Sequence, residues 1–165
     1  MAVTPFDDLD AYLRLPRVSG LAVSPDGRRV VTMISELTDK GNEFVTAAWE
    51  LDPDGQRDAR RLTYGAKGES QPAFTAAGDL LFVAARATAS DDDPPAALWR
   101  LPANGGEAQR ILELSGGVSA VHAARSADVV VVTAPMLPSA ATPDDDKRLR
   151  TLRKDNKVSA ILHTG

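Results

Sequence analysis

The sequence predicts an all-β chain built from a repeated four-stranded antiparallel unit, preceded by one short helix. Three observations carry this reading. Four tetrads of similar chemistry punctuate the chain: Ser24-Pro25-Asp26-Gly27, Asp52-Pro53-Asp54-Gly55, Thr75-Ala76-Ala77-Gly78 and Pro102-Ala103-Asn104-Gly105. The stretches between them are short and rich in apolar and β-branched residues. The pattern also recurs with a period of about fifty residues.

The helix comes first. Thr4 is an N-cap residue type, Pro5 suits the first helical position, and Asp7 and Asp8 favour the positive end of a helix dipole. Phe6, Leu9, Tyr12 and Leu13 share one face at helical spacing, which is expected to dock onto the β-rich region C-terminal to it. Pro16 ends the helix, because the residue before a proline is pushed out of the α region.

Each tetrad ends in Gly, and Asp or Asn precedes that Gly in three of them. This suits a type I turn closed by a left-handed residue, as in a three-residue hairpin loop with a bulge. Gly27 is therefore expected to take a positive φ, which only Gly adopts without steric cost.

The period shows when LAVSPDGRRVV (21–31) is set above PAFTAAGDLLF (72–82) and VHAARSADVVV (121–131), where Ala127 replaces the turn Gly. The second half of the unit repeats as well. AAWELDPDG (47–55) lies over AALWRLPANGG (96–106), with Trp49 over Trp99, so both tryptophans read as sheet-packing residues. Two hairpins per unit make four strands, which describes a β-propeller blade.

The expected organisation is a helical segment over 1–17 and a partial propeller over 18–165. Its blades fall at 18–66, 67–115 and, incomplete, 116–165, with Gly65, Gly68, Gly116 and Gly117 at the boundaries. Val30, Val31, Leu81, Phe82 and Val129 to Val132 form apolar runs expected of strands covered on both faces. SDDDPP (90–95) reads as a solvated hairpin tip. Residues 135–157 read as an exposed excursion with a short helix near 147–153.

Closed propellers use about four to eight blades, and this chain supplies about three. The expectation is the N-terminal piece of something larger, with a small complete β-domain and a ring completed by copies of the chain as the alternatives.

SPDG at the first hairpin, RRLT at 60–63 and PAF…G.LLF at 72–82 resemble the repeat shared by TolB and the prolyl oligopeptidase (S9) serine peptidases. The opening FDDLDAYLRLPRVSGLAVSPDGRRVV is similar to the start of bacterial S9 peptidases of the acylaminoacyl-peptidase or dipeptidyl-peptidase kind. The resemblance implies a propeller that restricts oligopeptide access to a C-terminal α/β-hydrolase domain lying beyond this chain. It implies as partners the remaining blades and that domain. A non-enzymatic TolB-like propeller that binds protein partners is the alternative. No catalytic residue carries over.

The residues themselves agree on that last point. There is no G-x-S-x-G elbow; Leu114-Ser115-Gly116-Gly117-Val118-Ser119 lacks its first Gly and reads as a turning loop. His122 and His163 have no clustered carboxylate, so neither reads as a general base or metal ligand. Asp91-Asp92-Asp93 and Asp144-Asp145-Asp146 lack the alternate spacing of a calcium loop. KRLRTLRKDNK (147–157) has no interleaved aromatic. No catalytic, cofactor-binding or metal-binding residue is assigned, and no cofactor is expected. The absence of Cys excludes disulfides and thiol catalysis. A net charge of −4 argues against nucleic acid. With neither a signal-peptide pattern nor a long apolar run, the chain reads as cytoplasmic and off the membrane.

Overall fold

A computed structural model describes residues 4, 6–87 and 94–158. The elements run α1 (Leu9–Leu13), β1 (Arg17–Val23), β2 (Val30–Leu37), β3 (Phe44–Leu51), β4 (Arg60–Arg61), β5 (Glu69–Phe74), β6 (Leu80–Ala84), β7 (Ala97–Leu101), β8 (Gln109–Leu112), β9 (Ala120–Ala123), β10 (Val130–Thr133) and α2 (Pro143–Asp155). They form two four-stranded sheets in the orders β1-β2-β3-β4 and β5-β6-β7-β8, then a pair β9-β10. Every pairing is antiparallel.

The repeat is carried in the register. Thr32 faces Trp49 in the first sheet as Phe82 faces Trp99 in the second, and Trp49 then faces Arg61 as Trp99 faces Arg110. Trp99 donates its indole N–H to the Ala84 carbonyl at 3.0 Å and packs against the core. Both first strands carry a bulge where one residue turns left-handed: Gly20 at φ 60° and Gln71 at φ 57°. Gly20 is required there twice over, since a Cβ would also press against Pro72 Cδ at 3.2 Å.

All four tetrads close as expected, with the Gly N–H donating to the carbonyl three residues back at 2.9, 3.1, 2.9 and 3.0 Å. Their glycines have φ of 73°, 65°, 86° and 87°. The tetrads sit inside longer loops than three-residue hairpins: the Ser24 N–H reaches the Arg29 carbonyl, and the Ser24 hydroxyl donates to Asp26. That hydroxyl contact, and next the Arg28 N–H, hold the Asp26 carboxyl below its usual range. A fifth turn of this kind, Thr38-Asp39-Lys40-Gly41, joins β2 to β3 and has the same hydrogen bond. No atom lies within 4 Å of a Cβ built on Gly27. Gly27→Val should therefore cost about 1–2 kcal/mol through φ alone, read as a shift in the urea midpoint at unchanged slope.

The core lies between sheets. In β6 successive residues point to opposite faces. Leu80, Phe82 and Ala84 pack with Val31, Met33 and Ala48 of the first sheet. Leu81 and Val83 pack with Leu98, Val118 and Val121 toward the third. All five residues of β6 are buried as a result. The apolar runs at Val31 and at Leu81-Phe82 are thus covered, as expected. The run at 129–132 is not: Val131 is 59% exposed, because no described strand pairs with or covers β10 on that side.

Three further expectations need correction: the cap of the first helix, the docking of its apolar face and the extent of the second helix. The first helix begins at Leu9 and is capped by Asp8, whose side chain accepts the Asp10 N–H at 2.9 Å. Thr4 instead gives its N–H and hydroxyl to Asp7, in a separate turn. The face of Phe6, Leu9, Tyr12 and Leu13 is exposed; Phe6 and Tyr12 pack on each other, with ring centroids 5.8 Å apart. The second helix is longer than expected, because Thr142 caps it and Pro143 opens it. The hairpin tip at 90–95 lies mostly outside the described residues.

The second helix is anchored through its first turn. Asp146 is buried, accepting the Leu137 N–H at 2.7 Å and the Arg150 Nε–H at 2.6 Å. Arg150 also reaches the Pro135 carbonyl at 3.3 Å. Gly116 leaves the room for this: a Cβ there would strike that carbonyl and the guanidinium. The Arg150 hydrogen bond, then the Leu137 N–H, hold the Asp146 carboxyl below its usual value. A carboxyl depressed in the fold stabilises it above the unfolded pKa, and that contribution is lost as pH falls through the folded value. The α2 amides should therefore lose exchange protection as pH drops below about 4, while those of β6 keep theirs. No helix among the described residues is long and apolar enough to cross a membrane.

Candidate functional site

The junction between the first two sheets gathers the most interaction chemistry. Thr63, just past β4, accepts the Ala48 N–H of β3 at 2.9 Å and donates its hydroxyl to Glu69 Oε2 at the head of β5. The other carboxylate oxygen accepts the Gly65 N–H at 3.1 Å and Arg86 at 2.7 Å. The Glu69 side chain is fully enclosed. The Arg86 guanidinium stacks 4.5 Å from the Trp99 ring centroid and 5.2 Å from that of Phe82. One buried carboxylate thus ties a loop, two sheets and an aromatic shelf together. Both its oxygens are engaged, so it holds the sheets rather than handling a substrate proton.

A second tie lies further along the junction. Glu50 receives Arg29 and Arg60, each at 2.6 Å, and Arg29 lies 5.2 Å from the Phe74 ring centroid of the second sheet. Burial pushes the Glu50 carboxyl up, but the hydrogen bonds from Arg60 and Arg29 outweigh it and leave the group below its usual range. Between the ties runs an open groove of two adjoining hollows, about 650 and 370 Å³, sharing Leu62, Leu101 and Gly106. Over it Arg61 donates to the Thr63 carbonyl at 2.8 Å and lies 4.8 Å from the ring centroid of Tyr64.

The residue types that could carry chemistry are scattered. His122 is exposed in β9. Ser115 lies in the turn closed by the Gly117 N–H on the Leu114 carbonyl. Asp144, Asp145 and Asp146 occupy the first turn of α2, the basic residues from Lys147 to Lys154 lie along it, and Lys157 follows its end. His163 and Asp91 to Asp93 lie outside the described residues. Among the described residues no group of three or more His, Asp or Glu could hold a metal ion. Glu69 and Arg86 were missed by sequence reasoning. Each looks like a solvated strand-end residue, and only the isolated acid opening an otherwise uncharged strand hinted at a partner.

Consecutive four-stranded antiparallel meanders, stacked face to face through a shared core, define a propeller-type β-protein. Among solved structures the chain is similar to a protein described as TolB from Agrobacterium tumefaciens, with TM-score 0.56 and 22% identity, covering 72% of this chain and 39% of that one. It is also similar to the isopeptidase AtxE2 in its apo form, with TM-score 0.62 and 16% identity, covering 96% of this chain and 26% of that one. The chain thus spans well under half the length of either. No family model and no curated protein matches the sequence. The fold is that of part of a TolB-like β-propeller.

Proposed function

We propose that this chain is the N-terminal propeller segment of a larger S9-type serine peptidase, where it gates oligopeptide access to a C-terminal α/β-hydrolase domain. One observation carries the reading. The likeness to the isopeptidase covers 96% of the chain and so omits only about seven of its 165 residues, fewer than the thirteen of α2. The isopeptidase likeness thus extends over more of the chain than the TolB likeness does. The TolB likeness omits 28% of the chain.

A non-enzymatic, partner-binding propeller is the second reading, favoured by the higher identity, 22%, of the TolB match. The coding sequence beyond residue 165 separates the two. A G-x-S-x-G elbow followed by Asp and then His supports the peptidase; a continuation of further blades without them overturns it. Assay of the full-length product with acylaminoacyl chromogenic peptides should then show hydrolysis. The isolated 165-residue chain should show none, and activity there would overturn the assignment of catalysis to another domain.

A further inference from the structure

Each of the first two sheets lays a third strand along its second. β3 runs antiparallel to β2, and β7 to β6. Among the described residues β10 has no such neighbour: β9 takes one edge and no strand takes the other. The Ala124 and Ser119 N–H groups donate to the Val129 and Thr133 carbonyls. By antiparallel alternation, Val130 and Val132 then turn their N–H and C=O groups to the open edge. Native proteins blunt such an edge with charges, Pro or a bulge, and Val130–Thr133 has none of these. Its valines are exposed as well.

The repeat names the occupant. The third strands share a pattern of a small residue, Ala, a small or aliphatic residue, Trp and a charge. It reads Thr46-Ala47-Ala48-Trp49-Glu50 in the first sheet and Ala96-Ala97-Leu98-Trp99-Arg100 in the second. Fifty residues further on stands α2 instead. Past it the pattern returns as Ser159-Ala160-Ile161-Leu162-His163, with Leu for Trp and His for the charge, outside the described residues. Ala160 lies sixty-three residues beyond Ala97. That exceeds the fifty between Ala47 and Ala97 by thirteen, the length of α2. The helix thus reads as an insertion between a second and a third strand. Its ends suit a return to β10. Arg150 fastens it to the Pro135 carbonyl, two residues past the strand. At the other end Lys157 is left-handed at φ 52°, and the Val158 N–H closes on the Arg153 carbonyl at 2.8 Å, which stops the helix. We propose that the free edge of β10 takes residues 159–163 as its third strand, antiparallel and in the register of the other sheets. Phe82 faces Trp99 and Ala84 faces Ala97, so Val132 meets Leu162 and Ala134 meets Ala160. This strand follows from the repeat alone and stands or falls apart from the peptidase reading.

The chain has no Cys, so an introduced disulfide reports the register. Thr133→Cys with Ile161→Cys sets two thiols opposite each other at a pair without mutual hydrogen bonds, where side chains come closest. This variant of the 165-residue chain should oxidise to an intrachain bridge, read by intact mass and a non-reducing gel. Thr133→Cys with Ala160→Cys puts the thiols on opposite faces and should bridge about tenfold less. Hydrogen exchange gives the second measurement. The Val130 and Val132 amides should exchange about tenfold or more slowly in the 165-residue chain than in one ending at residue 157, with the β6 amides alike in both. If the shortened chain fails to fold, the two Cys pairs decide the matter. Equal bridging by both pairs, unprotected Val130 and Val132 amides in the 165-residue chain, or protection that survives the truncation would each overturn the proposal. So would bridges between chains in a dimer by light scattering, which would give the edge to a second copy.

Discussion

Glu69→Ala is expected to destabilise the protein by about 3–5 kcal/mol, read as a fall in the urea midpoint. The substitution leaves the Thr63 hydroxyl, the Gly65 N–H and the Arg86 guanidinium without the carboxylate that joins them. Removing one member of a buried ion pair strands the other, so the loss exceeds the net worth of the pair. The Arg86 side chain keeps 25% of its surface in water, which places the expectation at the lower end of that range. The defect should be shared by both sheets, because Thr63 also satisfies the Ala48 N–H of β3. Hydrogen exchange should speed up at Ala48 as well as along β5. Loss of protection confined to residues 63–69 would contradict the role given to this carboxylate.

Phe82→Ala should cost a similar amount, about 3–5 kcal/mol, by the same denaturant measurement. Phe82 is fully buried on the β6 face that meets Val31, Met33 and Ala48. Its removal opens a cavity between two sheets rather than within one, and each sheet, held by its own hydrogen-bond ladder, relaxes onto that space only in part. Phe82 also forms part of the shelf under Arg86. The Phe82 and Glu69 substitutions should therefore be non-additive, with the double variant losing less than the sum of the singles. Simple additivity would mean that the ion pair and the aromatic shelf act independently.

Legibility of the fold followed the range of the interactions. The four Gly-ended turns could be placed from sequence because a positive φ is a property of one residue and its neighbours. The Thr38–Gly41 turn escaped because it falls outside the fifty-residue echo, although its chemistry is the same. The helix start was misplaced for a local reason of another kind. Thr4 and Asp8 are both capping residues, and Asp7 captured the Thr4 N–H and hydroxyl, leaving Asp8 to cap.

The apolar runs show the limit most clearly. The segments 80–84 and 129–132 look alike as sequence, yet β6 is buried on both faces while Val131 stands open. A run of Val and Leu states that a strand can be covered and says nothing of what covers it. The site followed the same rule. Glu69 and Arg86 are seventeen residues apart and flank a bulged β5–β6 hairpin, so no spacing pattern announces their pairing.

What the sequence determined by itself was the repeating unit: turn chemistry, strand order, the echo of Trp49 in Trp99, and the absence of a nucleophile elbow. These rest on backbone preferences and side-chain patterns acting over a few residues. Only the tertiary structure decided which faces are buried, which carboxylate joins the sheets, and where arginines from separate strands converge on one groove. Those outcomes depend on surfaces brought together from distant parts of the chain, and burial and ion pairing have no meaning until both partners are in place.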